Sequence, residues 1–122
     1  LRMAREGADL AAVVAFHSAL PAEPPVSRGK VTAPILVING SDDAFLKPES
    51  VGSFTREMFE ANADFTYVSM TGVRHSFTNP QADEFQKKFE LPALAYNKQA
   101  DERSWTDMQS FFKRVFSGKA GK

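Results

Sequence analysis

The sequence predicts a single α/β domain in which a three-stranded parallel sheet is flanked by helices. Three short apolar segments, rich in β-branched or aromatic residues, have the length of strands. Segments with helical periodicity follow the second and third of them. Strands that alternate with helices form parallel sheets, and 122 residues are enough for one hydrophobic core. We therefore expect one domain over residues 1–122.

The first part of the chain contains the end of a helix and two strands. Charged and apolar residues before Gly7 are typical of the last turns of a helix, with Gly7 as its C-cap. The continuous apolar run Ala11–Phe16 predicts a strand that is buried on both faces. Prolines make residues 20–30 a loop. A second buried strand, Ile35–Ile38, is expected to end at the turn that contains Gly40.

A helix and a third strand follow. A proline at the start and apolar residues at helical spacing predict a helix over residues 48–60. The alternating segment Asp64–Met70 predicts the third strand. Residues 71–100 show little periodicity and leave room for a short helix over Asp83–Phe89.

The last predicted element is a C-terminal helix. Ser104 is its predicted N-cap, and Gly118 is expected to end it. Its expected apolar stripe consists of Trp105, Met108, Phe111, Phe112 and Val115. We interpret this stripe as core packing.

Composition and charge exclude several classes of protein. Lys+Arg and Asp+Glu both number 15, so the net charge is zero and a broad basic nucleic-acid-binding face is not expected. The absence of cysteine excludes disulfides, thiolate zinc sites and a cysteine nucleophile within these residues. No apolar run reaches the ~18–20 residues of a membrane span. We expect a soluble, cytoplasmic protein that binds neither nucleic acid nor membrane.

Polar side chains follow each predicted strand. His17 ends the first strand, Asp42 and Asp43 follow the second, and His75 follows the third. Open α/β sheets bind ligands at the carboxyl ends of their strands. A histidine that acts as a general base needs a carboxylate to fix its tautomer, and hydrolase triads can present the acid before the histidine. Asp43 and His75 are therefore the candidate catalytic pair.

The same residues also fit other interpretations. Asp42 and Asp43 lie in a sequence typical of a solvated turn, His75 can be a loop histidine bonded to backbone, and we expect a structural role for His17. A cation-binding, receiver-like module would use Asp42 and Asp43, but its other expected residues are missing. Neither histidine has a metal-ligand partner at suitable spacing, and there is no Gly-rich phosphate loop. We expect no metal and no cofactor.

Several stretches of the chain together form a more specific pattern. They are Gly7-Ala8-Asp9-Leu10, Val13-Val14-Ala15-Phe16-His17, the segment from Leu36 to Phe45, the segment from Arg74 to Pro80, and a closing segment from Ala95-Tyr96-Asn97 through Arg103-Ser104-Trp105 to Phe111-Phe112. In this order they resemble the dienelactone hydrolase family. The resemblance covers essentially the whole chain.

The resemblance implies an α/β-hydrolase fold and a nucleophile–acid–histidine triad that acts on a small-molecule ester or lactone. Asp43 maps to the acid because it follows Gly40 at the family's Gly-x-x-Asp spacing, and His75 maps to the base. His17 stands at a family-typical position with no catalytic role to carry over. Dienelactone-cleaving members have a substrate-binding arginine where this chain has Asn79, which favours the broader class of esters and lactones.

The family's nucleophile has no counterpart in this sequence. In the family, the nucleophile elbow is Gly-x-Cys-x-Gly-Gly or a serine form of it, and it would precede the helix whose last turns are residues 1–6. This chain has neither a cysteine nor a Gly-x-Ser-x-Gly sequence. The resemblance therefore implies the C-terminal half of a hydrolase domain, without the nucleophile elbow. We expect the chain alone to be inactive. The alternative is a non-catalytic α/β domain, or a fragment that folds by oligomerisation.

The resemblance also implies an open sheet edge. In the family's sheet, the strand corresponding to Ala11–Phe16 lies beside the strand that leads to the nucleophile. An apolar edge without its neighbour favours pairing with another chain. We therefore expect a homodimer or higher oligomer that covers this edge or the adjoining sheet face.

Overall fold

The computed structural model describes the backbone of residues 1–120 and the side chains of residues 1–118. Its strands are β1 (Val13–Phe16), β2 (Ile35–Gly40) and β3 (Phe65–Met70). Its helices are α1 (Arg2–Arg5), α2 (Pro48–Glu60), α3 (Ala82–Lys88) and α4 (Lys98–Ala120). The strands form one parallel sheet in the order β1–β2–β3, which confirms the predicted fold class.

β2 is the central strand, and all six of its residues are buried. Alternate side chains of a strand point to opposite faces of the sheet. Ile35 and Val37 belong to a core on one face, whereas Leu36 and Ile38 belong to a core on the other. A continuous apolar run is what a parallel strand covered on both faces requires.

Helices close both cores. Phe54 and Met58 of α2 are fully buried in the core that contains Ile35. Phe111 and Val115 of α4 pack into the core that contains Leu36. Burying a side chain of this size stabilises the fold by about 1.5–3 kcal/mol, so these contacts hold α2 and α4 against opposite faces of the sheet.

α4 begins earlier than the sequence analysis predicts. Asn97 caps it, because the Asn97 Oδ1 accepts a hydrogen bond from the backbone N–H of Ala100 at 2.9 Å. Ser104, the predicted cap, lies within the helix and is buried. Its hydroxyl donates a hydrogen bond to the carbonyl oxygen of Asp101 at 2.9 Å. The helix also continues past Gly118. Neither α4, with 23 residues, nor any other helix in the described part of the chain is long and apolar enough to cross a membrane.

A buried ion pair joins α1 to α2. Two nitrogens of Arg5, Nε and Nη2, each donate to a different carboxylate oxygen of Glu57 at 2.8 Å. Arg5 Nη2 also donates to the carbonyl oxygen of Pro24 at 2.7 Å, and the backbone N–H of Val26 donates to Glu57 Oε1 at 3.3 Å. The pair therefore also fixes the proline-containing loop between β1 and β2. Sequence patterns do not reveal it, because the partners are 52 residues apart.

Candidate active site

The residues that follow the three strands meet at one edge of the sheet. His17 follows β1 directly, Asp43 lies in the turn after β2, and His75 lies in the loop after β3. Because the strands are parallel, their carboxyl ends bring these segments to the same side. The structure places His75 in contact with both Asp43 and His17.

Hydrogen bonds join the loop after β2 to the loop after β3. The backbone N–H of Asp42 donates to the carbonyl oxygen of Val73 at 3.0 Å, and the N–H of Gly72 donates to the Ser41 hydroxyl at 3.0 Å. Gly40 permits this approach, because a Cβ atom at Gly40 would overlap the carbonyl oxygen of Val73. We call these contacts the loop clamp. The clamp fixes the segment that carries Asp43 relative to the segment that leads to His75.

Asp43 is buried, and both of its carboxylate oxygens accept hydrogen bonds. Oδ2 accepts from His75 Nδ1 at 2.7 Å, and Oδ1 accepts from the backbone N–H of Phe45 at 2.9 Å. Asp42 is exposed, and its Oδ1 accepts from the Ser41 hydroxyl at 3.2 Å. The engagement of both Asp43 oxygens argues against the receiver-like cation site. Among the described side chains, no group of three or more histidines, aspartates or glutamates is arranged to hold a metal ion.

The hydrogen bond to Asp43 orients the imidazole of His75. When Nδ1–H donates to the carboxylate, Nε2 carries the lone pair of the neutral ring. The backbone N–H of His75 donates to the carbonyl oxygen of Ala93 at 3.2 Å, and its own carbonyl accepts from the N–H of Ala95 at 3.1 Å. The side chain of His75 is 26% exposed, so a reacting group can approach it.

Two further rings contact His75 edge-on. The centroid of the Phe45 ring lies 5.0 Å from that of His75, with an interplanar angle of 78°. The centroid of the His17 ring lies 5.1 Å away, with an angle of 69°. Phe45 is not among the candidate site residues predicted from sequence, where its signal is its position two residues after Asp43.

His17 has a backbone conformation that non-glycine residues rarely adopt, with φ of 37°. Its Nε2 lies within hydrogen-bond distance of Thr78 Oγ1, at 2.9 Å, and its ring packs edge-on against Phe77. Burial lowers the pKa of His17, and the nearby His75 lowers it further, whereas Asp43 has a smaller effect in the opposite direction. Thr78, like Phe45, is not among the candidate site residues predicted from sequence.

This chain matches a family of known proteins. The sequence model of the dienelactone hydrolase family matches residues 1–116. The chain belongs to the dienelactone hydrolase family. The sequence resemblance is thereby confirmed, and the parallel sheet with its flanking helices forms part of the α/β-hydrolase fold of that family.

Three similar proteins show how much of their own length this chain matches. A dienelactone hydrolase-like promiscuous phosphotriesterase from metagenomic libraries is 33% identical, with a TM-score of 0.83 over 93% of this chain and 46% of that one. A solved protein named m3DLH has the same identity and TM-score, over 93% and 45% of the two chains. An uncharacterized protein of Caenorhabditis elegans is 30% identical over 107 residues, which are 87% of this chain and 65% of that protein. The chain thus spans less than half the length of the two solved relatives.

Proposed function

We propose that this chain supplies the acid and the base of a hydrolase that acts on esters or lactones. The observation that carries the proposal is the 2.7 Å hydrogen bond between His75 Nδ1 and Asp43 Oδ2 at the carboxyl edge of the sheet. In this role Asp43 orients the imidazole and stabilises the imidazolium ion, while Nε2 of His75 exchanges protons with the reacting groups. Membership of the dienelactone hydrolase family supports hydrolase chemistry in general.

The proposed reaction has two halves. The nucleophile loses its proton to His75 Nε2 and attacks the ester carbonyl carbon, and the tetrahedral intermediate then expels the alcohol, which takes the proton from His75. Water next attacks the acyl carbon and loses a proton to His75, which passes that proton to the departing nucleophile as the carboxylic acid is released. Asp43 stays ionised throughout.

We infer that the nucleophile of the proposed triad is not among these residues. The chain has no cysteine and no Gly-x-Ser-x-Gly sequence. Loss of the nucleophile from a triad lowers turnover by about a million-fold, and each missing oxyanion donor raises the barrier by about 3–4 kcal/mol. We therefore infer that the 122 residues have no hydrolase activity on their own.

Asn79 favours an uncharged ester or lactone as the substrate. Its Oδ1 accepts a hydrogen bond from the backbone N–H of Gln81 at 3.0 Å, so the side chain is used within the turn before α3. A neutral amide also offers a substrate carboxylate neither the positive charge nor the bidentate donor fork of an arginine. Dienelactone carries a carboxylate and is therefore the weaker candidate. The activity named for the metagenomic phosphotriesterase makes a phosphotriester the second substrate class to assay.

A chimera provides the test of the proposed pair. In the chimera, residues 1–116 of this chain replace the matching segment of m3DLH. We choose m3DLH because its structure superposes on this chain with a TM-score of 0.83. We expect the chimera to hydrolyse p-nitrophenyl acetate, and we expect Asp43→Asn to lower kcat by about 10⁴-fold because the tautomer of His75 is no longer fixed. Asp42→Asn is the matched control. We expect it to leave kcat unchanged.

The unfused chain forms the second arm of the test. We expect its turnover of p-nitrophenyl acetate to equal the buffer background. Turnover that disappears in His75→Ala would show that the chain is active alone. A folded, active chimera whose kcat is the same with Asp43→Asn would overturn the role of Asp43 as the acid.

A further inference from the structure

His17 connects the end of β1 to the loop that carries His75. Its backbone N–H donates to the carbonyl oxygen of Ile38 at 3.0 Å, which anchors His17 to β2. Its Nε2 shares a hydrogen bond of 2.9 Å with Thr78 Oγ1, although the two residues are 61 positions apart. Thr78 follows His75 by three residues. One side-chain hydrogen bond therefore links the central strand to the His75 loop.

The backbone of His17 is strained in the conformation that makes this contact. Its φ of 37° lies in the left-handed region, which non-glycine residues occupy where the surrounding structure enforces it, often at functional sites. In this conformation the ring centroid lies 5.1 Å from that of His75 and 5.5 Å from that of Phe77. The end of a strand does not by itself require such a ring contact.

Burial and the neighbouring His75 lower the pKa of His17 and so disfavour its charged form. The ionisable groups that act on it in the described part of the chain are His75 and Asp43. Burial lowers the pKa of His17 most, His75 lowers it further, and Asp43 offsets only part of the change. The hydrogen bond to Thr78 and the ring contact with His75 therefore involve a His17 ring whose charged form is disfavoured.

We propose that His17 is a positioning residue, which holds the His75 imidazole in line with the Asp43 carboxylate through Thr78 and through direct ring contact. The inference rests on the proposed function, in which Asp43 and His75 are the acid and the base. His17 acts on the reaction only through His75. Its effect is to restrict the orientation of the base, which is the requirement for a preorganised catalytic group.

The test uses the 122-residue chain labelled with ¹⁵N in its two histidines. The reporter is the His75 Nδ1 proton that is donated to Asp43, observed by NMR through its exchange with solvent. We expect Thr78→Val, which keeps the shape but removes the hydroxyl, to accelerate this exchange by about tenfold or more. Thr78→Ser restores a hydroxyl and is expected to exchange like the wild type. His17→Phe keeps an aromatic ring but loses the hydrogen bond, and we expect it to behave like Thr78→Val.

The outcomes separate this inference from the proposed function. Equal exchange rates in the wild type, Thr78→Val and Thr78→Ser overturn the positioning role, even if Thr78→Val lowers the melting temperature. If His17→Phe does not fold, the comparison of Thr78→Val with Thr78→Ser decides the question. A reporter proton that Asp43→Asn leaves unchanged, or that the wild type lacks, overturns the Asp43–His75 pair itself and the inference with it.

Discussion

At the scale of single residues, three side chains determine how His75 is held. The hydrogen bond from Nδ1 to Asp43 fixes one atom of the ring but does not by itself prevent the ring from tilting. Edge-on contacts with Phe45 and His17 oppose the tilting, and each such ring pair contributes about 0.5–1.5 kcal/mol. The imidazole is therefore defined in direction as well as in position.

The titration of His17 gives a prediction at this scale. An unfolded histidine titrates near pH 6.5, and the pKa of His17 is lower in the folded protein. As the pH falls below 6.5, the unfolded chain binds a proton at residue 17 more readily than the folded chain does, so the free energy of unfolding decreases. Above pH 6.5, neutral His17 contributes its full stability to the fold. We expect urea unfolding to show a larger loss of stability on acidification for the wild type than for His17→Gln.

The carboxylates and His75 are common to both proteins, so the difference between the two pH profiles reports the loss of His17 together with its interaction with His75. Parallel profiles from about pH 7.5 to about pH 5 would contradict the lowered pKa of His17.

At the scale of elements, local patterns predict the sheet well and the last helix poorly. The strands and α2 follow from apolar runs and from Pro48, which are properties of short segments. For α4, a serine with an acidic residue three positions later, Asp107, satisfies the same local rule as a true N-cap. Ser104 is nevertheless buried, by contacts that local sequence does not encode. The sequence pattern predicts that Trp105 lies in the core, but it is 57% exposed. Its exposure, like the burial of Ser104, depends on how α4 packs on the sheet and not on the local pattern.

The candidate site shows the same division. Sequence order predicts that Asp43 and His75 lie at the same edge of the sheet, because each follows a parallel strand. Sequence order does not predict the contact of His17 with Thr78. It depends on side-chain packing between loops that are distant in the chain.

The ion pair between α1 and α2 gives a prediction at the element scale. Arg5 and Glu57 are 5% and 8% exposed, and removal of one member of a buried pair leaves the other charge without a partner. We expect Glu57→Ala to lower the free energy of unfolding by about 3–5 kcal/mol, measured by urea denaturation.

The control is the exposed pair Arg2–Glu6, whose side chains are 85% and 62% exposed. We expect Glu6→Ala to change stability by about 0.5 kcal/mol or less. Similar losses for the buried and the exposed pair would show that the Arg5–Glu57 contact does not hold α1 to α2.

At the scale of the whole molecule, the open edge of β1 is the feature with the widest consequence. β1 pairs only with β2 among the described strands, and its four apolar residues are all half-buried. The N–H groups of Val13 and His17 point toward β2, so the alternation of a strand directs those of Val14 and Phe16 outward. We propose that a second copy of the chain pairs with this edge to form a homodimer or higher oligomer.

A proline substitution tests this proposal. Val14→Pro removes an outward N–H without removing a hydrogen bond to β2, so we expect it to shift the chain toward the monomer in light scattering at micromolar concentration. Val14→Thr keeps the N–H and similar shape, and is expected to remain associated. A wild-type chain that is monomeric in the same measurement would exclude association through this edge.

The loop clamp has a consequence for the entropy of any reaction at this site. Asp42 with Val73, and Gly72 with Ser41, hold the two loops together through contacts that form when the chain folds. The loss of conformational freedom that ordering the proposed acid and base requires is therefore met during folding and not when a substrate arrives. Under the proposed function, substrate binding energy is left for orienting the reacting carbonyl.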